Sequence, residues 1–198
     1  MQPTNPLRLV TGPSRSGKSE WAETLAMQSG QPVVYIATAS LDPEDSEWQA
    51  RIERHQHRRP SSWQTLCVPL DLAVAIQGQP PGLCILIDSL GSWLTNCLEQ
   101  DSITWQDSAH QLFLALQQSE SQVIIVAEET TWGVVPAYAS GRLFRDRLAE
   151  LERAIAAIAD QVDLVVAGYA LNLKALGQFV SPIPSLPLGE IFNSPKES

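Results

Sequence analysis

Leu7-Arg8-Leu9-Val10-Thr11-Gly12-Pro13-Ser14-Arg15-Ser16-Gly17-Lys18-Ser19 is the stretch that decides the fold. Gly12, Gly17, Lys18 and Ser19 satisfy the pattern G-x-x-x-x-G-K-(S/T), whose proper context is an apolar strand before and a helix after. A loop that holds a triphosphate must bring backbone N–H groups within reach of several negative charges, and bulk at its turn positions prevents that approach. Gly12 and Gly17 meet the requirement. Lys18 is then placed to reach the β- and γ-phosphates, the Ser19 hydroxyl to hold Mg2+, and the start of the helix near Lys18 adds its partial positive charge. The competing reading is a glycine-rich turn that happens to contain Lys18 and Ser19; the strand and helix on either side argue against it.

Downstream of the loop, Trp21, Ala22, Leu25 and Ala26 share one face of a helix over 20–28, which Gly30 stops. Val33 to Thr38 is a continuous apolar run of strand length, the kind buried on both faces of a parallel sheet. Strand, helix and strand make a βαβ unit.

Length and composition narrow the field. A chain of 198 residues supports one domain with a full core, read here as 1–177, followed by a proline-rich tail over 178–198 that has little periodicity and is expected to be poorly ordered. Its net charge of −9 disfavours nucleic acid as a partner, because no basic track offsets the repulsion of the phosphate backbone. Cys67, Cys84 and Cys97 show no metal-ligand spacing and read as reduced, mostly buried thiols. With no export signal and no apolar run of about 18 residues, a cytoplasmic protein without a membrane span is expected.

Four of the thirteen Lys and Arg residues, Arg51, Arg54, Arg58 and Arg59, crowd around His55 and His57 within nine positions of this acidic chain. A second anion site beside the first explains this; a solvated basic helix face, with His55 packed beside Trp48 after a capping box at Ser46, explains it equally well from spacing alone. Leu83 to Asp88 is the next buried-type strand. An acid at the carboxyl end of a strand near a phosphate loop faces the metal, so Asp88 joins Ser19 as a candidate Mg2+ ligand, although an aspartate also commonly just ends a strand.

A helix over 105–118 turns Ala109, Leu112, Phe113 and Leu116 inward and leaves His110 towards the surface. Val123 to Ala127 is a further strand running into Glu128 and Glu129, which either position a metal or a substrate hydroxyl or merely end the strand. Residues 142–159 form a long helix, on which Arg142 and Arg145 could clamp a phosphate or pair with Asp146 and Glu150. Val162 to Ala167 is the last buried strand, with Leu171 to Leu173 able to pair back as a hairpin. Strands alternating with helices through short links give an α/β fold with a mainly parallel sheet.

Together these stretches resemble the adenosylcobinamide kinase / adenosylcobinamide-phosphate guanylyltransferase family of cobalamin biosynthesis. The resemblance runs from Leu7 to Lys174 in family order. It is carried by Leu9-Val10-Thr11-Gly12 and Arg15-Ser16-Gly17-Lys18-Ser19, Tyr35-Ile36-Ala37-Thr38, Arg51-Ile52 with His55, Arg59-Pro60, Trp63, Asp88 and Trp93-Leu94-Thr95-Asn96. Gly133-Val134-Val135-Pro136, Arg142, Phe144-Arg145-Asp146, Val165-Val166-Ala167-Gly168 and Lys174 complete it. It implies a P-loop NTPase-like (RecA-like) three-layer fold and a homo-oligomer. It implies two reactions: phosphorylation of adenosylcobinamide by ATP or GTP, then transfer of GMP from GTP to adenosylcobinamide phosphate through a guanylyl-histidine at His55. Nucleotide contacts would fall on Gly12, Pro13, Ser14, Arg15, Ser16, Gly17, Lys18, Ser19, Ala37, Thr38, Ala39, Gln56, His57, Arg58, Arg59 and Asp88, with Lys18 and His55 catalytic and Mg2+ on Ser19 and Asp88.

The chain departs from the family pattern at several points. Cys67 replaces a usual glutamate, Glu128-Glu129-Thr130-Thr131 stands for Asn-Glu-Val-Gly, Pro136-Ala137-Tyr138 for Pro-Glu-Asn, Ala149 for glycine and Glu152-Arg153 for Asn-Gln. Two rivals therefore stand beside the bifunctional transferase: a nucleotide-binding relative that has lost one or both activities, and a motor ATPase on nucleic acid, which needs a basic track this chain lacks.

Overall fold

The computed structural model describes residues 6–40 and 59–180. The capping box at Ser46 and the basic run from Arg51 to Arg58 lie outside the described residues, as does the tail from Ser181 onward. Seven strands, β1 (Leu7–Gly12), β2 (Val33–Ala37), β3 (Gln64–Cys67), β4 (Cys84–Asp88), β5 (Gln122–Glu128), β6 (Gln161–Val166) and β7 (Tyr169–Asn172), form one sheet in the order β3-β2-β4-β5-β1-β6-β7. Every pairing is parallel except the hairpin of β6 and β7, in which Val165 faces Ala170.

The apolar runs alternate between two covered faces, as the pleat requires. Val10, Tyr35, Leu86 and Val126 point towards α1 (Lys18–Gln28) and pack on its Ala22, Leu25 and Ala26. Leu9, Ile36, Ile87 and Ile125 point the other way. They meet Leu72 of α2 (Leu72–Gln77), Trp93 and Leu94 of α3 (Leu90–Cys97), Leu112 of α4 (Ser102–Gln118), and Leu148, Leu151 and Ile155 of α5 (Ala139–Ile158). The result is the three-layer α/β arrangement with a mainly parallel sheet that the sequence calls for.

Polar anchors tie the layers together. Asp160 accepts from the Leu7 amide at 2.7 Å and returns its own amide to the Leu7 carbonyl at 2.7 Å, fixing the start of β1. Asp101 caps α4 by accepting from Ile103 and Thr104 at 3.0 and 2.9 Å, bonds that hold its carboxyl below the ordinary value. This cap starts the helix three residues before Trp105. Trp105 stacks at a tilt on Trp93, 5.8 Å between centroids, and carries the buried Arg147 guanidinium over its ring at 4.8 Å. Arg147 also donates to the Leu98 and Gln100 carbonyls just beyond α3, which satisfies a cation that would otherwise be costly to bury.

Three elements escape the periodicity argument. β3 is an edge strand that is mostly exposed, α2 has six residues, and α3 follows β4 with only the Ser89 cap between them. The cysteines are free and mostly buried, as expected: Cys84 and Cys97 are buried thiols, each pushed up to about 11 by burial, and Cys67 is exposed at the end of β3. Among the described residues no helix is long and apolar enough to cross a membrane.

Candidate functional site

The carboxyl ends of β1, β2, β4 and β5 open on one edge of the sheet, and the Gly12–Ser19 loop leaves from that edge. A side chain on Gly12 would put its Cβ 2.2 Å from the Val165 carbonyl oxygen and 2.9 Å from Ser16 Oγ, so the close approach of two backbones demands glycine here. Gly17 has φ 95°, in the left-handed region that glycine enters at no steric cost. The first helical bond of α1 runs from the Trp21 amide to the Gly17 carbonyl at 2.9 Å, so the amides before Trp21 have no partner inside the helix and present the donors that anions seek.

Lys18 is 5% exposed and folds back over the loop, donating Nζ to the Pro13 carbonyl at 3.3 Å. Ser16 Oγ is buried and has no hydrogen-bond partner among the described residues. An unsatisfied buried hydroxyl costs about 1–3 kcal/mol, and a phosphate oxygen would satisfy it. The Ser19 hydroxyl and the Asp88 carboxylate are hard oxygen donors of the kind Mg2+ takes. On these grounds the loop fits a magnesium-bound triphosphate.

Asp88 ends β4, and β4 is not the immediate neighbour of β1: β5 lies between them. Pairing of Gly12 with Glu128 and of Asp88 with Val126 therefore sets a second carboxylate between the loop and Asp88. Glu128 accepts from Ser89 Oγ and from the Gly91 amide at 2.9 Å. Burial, the largest influence, pushes its carboxyl up; the Ser89 bond pulls it back, Asp88 raises it further, and Lys18 lowers it. Two open readings of the strand-ending acids thus resolve unequally. Glu128 faces the site, whereas Glu129 accepts from the Thr131 amide and hydroxyl and donates its own amide to the Gly12 carbonyl at 3.0 Å.

Glu152 of α5 approaches the same strand ends from the opposite layer. Burial chiefly, and then Glu129 and Glu128, push its carboxyl up to about 7. Between the ordinary carboxylate value and about 7 the folded chain keeps a proton that the unfolded chain has released, so stability falls as pH rises through that window and levels off above it. Glu152→Gln removes the penalty. The expected result is a gain of at most about 3 kcal/mol in urea unfolding at pH 8 and no gain at pH 4. An equal gain at both values would mean that ionisation of Glu152 is not the cause.

Among the other residues singled out from the sequence, Thr38 is fully buried and clamps the turn after β4, donating to the Ser89 carbonyl at 2.6 Å and accepting from its amide at 2.9 Å. Asn96 of α3 donates to the Thr38 and Pro69 carbonyls at 2.8 and 2.9 Å and accepts from Ser40 at 2.8 Å. Arg59 lies over the Tyr35 ring, 3.7 Å from its centroid. His55, Gln56, His57 and Arg58 lie outside the described residues. Arg142 donates to the Pro136 and Ala137 carbonyls and Arg145 pairs with Asp146 at 2.8 Å, so both serve local structure. Lys174 likewise caps the end of α5 through the Ala159 carbonyl. His110 is half-buried.

Comparison with known proteins follows the same lines. The family described as cobinamide kinase / cobinamide phosphate guanyltransferase matches residues 8–173. The bifunctional adenosylcobalamin biosynthesis protein CobP of Pseudomonas aeruginosa is 40% identical over 168 residues, covering 84% of this chain and 96% of that protein. The bifunctional adenosylcobalamin biosynthesis protein CobU of Salmonella typhimurium is 35% identical over 181 residues, covering 84% of this chain and 98% of its own length. A solved structure from Pyrococcus horikoshii OT3, 8% identical and covering 90% of this chain and 93% of its own, superposes with a TM-score of 0.54 and shares the fold.

Proposed function

The chain belongs to the cobinamide kinase / cobinamide phosphate guanyltransferase family, and on that premise we propose that it is a bifunctional transferase of cobalamin biosynthesis. In the first reaction the aminopropanol hydroxyl oxygen of adenosylcobinamide attacks the γ-phosphorus of ATP or GTP and the nucleoside diphosphate leaves. In the second, a His55 nitrogen attacks the α-phosphorus of GTP and pyrophosphate leaves. An oxygen of adenosylcobinamide phosphate then takes the GMP from His55 to give adenosylcobinamide-GDP.

The observation that carries this reading is the convergence of Lys18 and Asp88, from the loop and a strand end, on one sheet edge, both near enough to act on the Glu128 carboxyl between them. Phosphoryl transfer is mostly positioning and charge neutralisation. The loop amides and Lys18 would hold the β- and γ-phosphates, and Ser19 with Asp88 would hold Mg2+. That ion, when bound, screens the charge on the phosphate oxygens. For the second reaction, an imidazole attacking phosphorus needs cations at hand, which Arg51, Arg54, Arg58 and Arg59 supply in sequence. The two described residues that flank this segment support the reading: Ser40 is held by Asn96, and Arg59 by Tyr35, whose hydroxyl bonds Asp88.

The rival, a nucleotide-binding relative with one or both activities lost, is favoured by the carboxylates at positions 128 and 152, where the family usually carries asparagine. One assay separates them. The protein is incubated with Mg2+, adenosylcobinamide and GTP labelled at the α-phosphate, and both the phosphorylated product and an acid-labile, alkali-stable protein adduct are followed. Product and adduct together are expected; product without adduct would reduce the protein to a kinase, and neither would leave the binding protein.

A further inference from the structure

Tyr35 is 3% exposed and stands on the α1 face of β2, two residues before Ala37, the partner of Asp88 in the sheet register. The same parity brings its ring diagonally along the face, and its hydroxyl donates to Asp88 Oδ2 at 3.0 Å. Packing alone would be served by phenylalanine. A buried hydroxyl without a partner is costly, and here the partner is the carboxylate that the reading above gives to Mg2+. The outer surface of the ring carries the Arg59 guanidinium, which stacks 3.7 Å from the centroid and donates Nη1 to Thr65 Oγ1 at 3.4 Å. The charged groups that act on Tyr35 are Asp88, Arg59 and Glu23 of α1.

We propose that Tyr35 is a positioning residue for the Asp88 carboxylate, and that Arg59, by stacking on its ring, sets how firmly that carboxylate is held for a divalent cation. The proposal rests on the assignment of Asp88 to the metal. Its physical content is a chain of three contacts: a planar cation fixes a ring, the ring fixes a hydroxyl, and the hydroxyl fixes one carboxylate oxygen. Arg59 is the last residue of the basic run that begins at Arg51, so the chain joins that run to the cation site without Arg59 approaching the cation itself. Because the contact is stacking by a planar fork, lysine cannot replace it although it keeps the charge.

The test is Mn2+ affinity of the protein with ADP present at the protein's concentration, read from the electron paramagnetic resonance signal of free Mn2+. Tyr35→Phe is expected to weaken Mn2+ binding about 10-fold, the usual size of a lost partner behind a metal ligand, while ADP affinity without metal is unchanged. Arg59→Lys and Arg59→Ala are both expected to weaken it, and Tyr35→Phe with Arg59→Lys to be no weaker than Tyr35→Phe alone. The sign of Arg59→Ala is decisive. If Arg59 acted only through its charge, removing a nearby cation would tighten Mn2+ binding, and that result would overturn the coupling, as would full additivity of the double variant. Asp88→Asn separates the layers: if it weakens Mn2+ binding and Tyr35→Phe does not, the positioning role fails alone; if Asp88→Asn has no effect, the assignment of Asp88 fails and takes the inference with it. Should Tyr35→Phe not fold, Arg59→Lys carries the test, with ADP affinity without metal measured alongside: weaker Mn2+ binding at unchanged ADP affinity supports the coupling, and an equal loss of both overturns it.

Discussion

Lys18→Ala is expected to lower phosphorylation of adenosylcobinamide about a thousandfold, the scale seen when a preorganised charge aimed at the transition state is removed. The argument rests on where the ammonium sits. Lys18 is buried at the start of α1 and leans on a carbonyl of its own loop, Pro13, so its stem is already ordered and a phosphate need only displace one weak bond. Lys18→Arg should not rescue, because a planar fork does not fit a point-charge site. His55→Ala is expected to do the converse: the covalent guanylyl adduct disappears while the kinase step continues, since the proposed mechanism uses the imidazole only in the second reaction. Initial rates of product formation and adduct labelling in the two variants check both. Kinase activity of Lys18→Ala within threefold of wild type would remove the loop's assigned role, and adduct in His55→Ala would move the nucleophile elsewhere.

Gly12→Ala should be the most damaging small substitution in the sheet. Its Cβ would stand 2.2 Å from a backbone oxygen of β6, and Val165 is held by pairing to Ala170 of β7, so neither strand yields as a flexible side chain would. Overpacking of this kind costs about 1–3 kcal/mol, and separation of β1 from β6 would also open the loop proposed to hold the phosphates. Gly30→Ala is the matched control: its φ of 69° also favours glycine, but nothing lies within 4 Å of the added methyl. That change is expected to cost about 1 kcal/mol, the price of a left-handed alanine, and to leave nucleotide binding alone. Urea unfolding of the two variants with and without ADP distinguishes close approach from backbone strain. Equal losses would show that the Val165 contact is relieved more easily than the geometry indicates.

Much of this architecture was legible because buried parallel strands write themselves as apolar runs. Val33 to Ala37, Cys84 to Asp88 and Gln122 to Glu128 all fall where those runs predict them, within a residue. The loop motif needed no structure. Adjacency was not legible: a crossover can land on either side of an existing strand, so no property of Gln122 to Glu128 announces that it inserts between β1 and β4. That one step of topology converts Glu128 from a strand end into a neighbour of Lys18 and Asp88. Glu152 was invisible as a partner for the same reason, being brought to Thr11 and Glu129 from the other layer. The edge strand β3 escaped because four mostly exposed residues carry no alternation to read. The periodicity of α4 begins at Trp105, whereas its true start is set by a cap at Asp101 that precedes the first inward-facing residue.

The hydrogen-bonded neighbours of β1 are β5 and β6, both from the later half of the chain. During synthesis the Gly12–Ser19 loop emerges early, yet the residues that flank it, Glu128 and Val165, are among the last of the sheet to be made. Pairings that span such separations close slowly and cannot form piecemeal. Ligand capture by a nascent polypeptide is therefore expected to await synthesis of β5 and β6, which makes nucleotide occupancy a report on the assembled sheet instead of a scaffold that guides it.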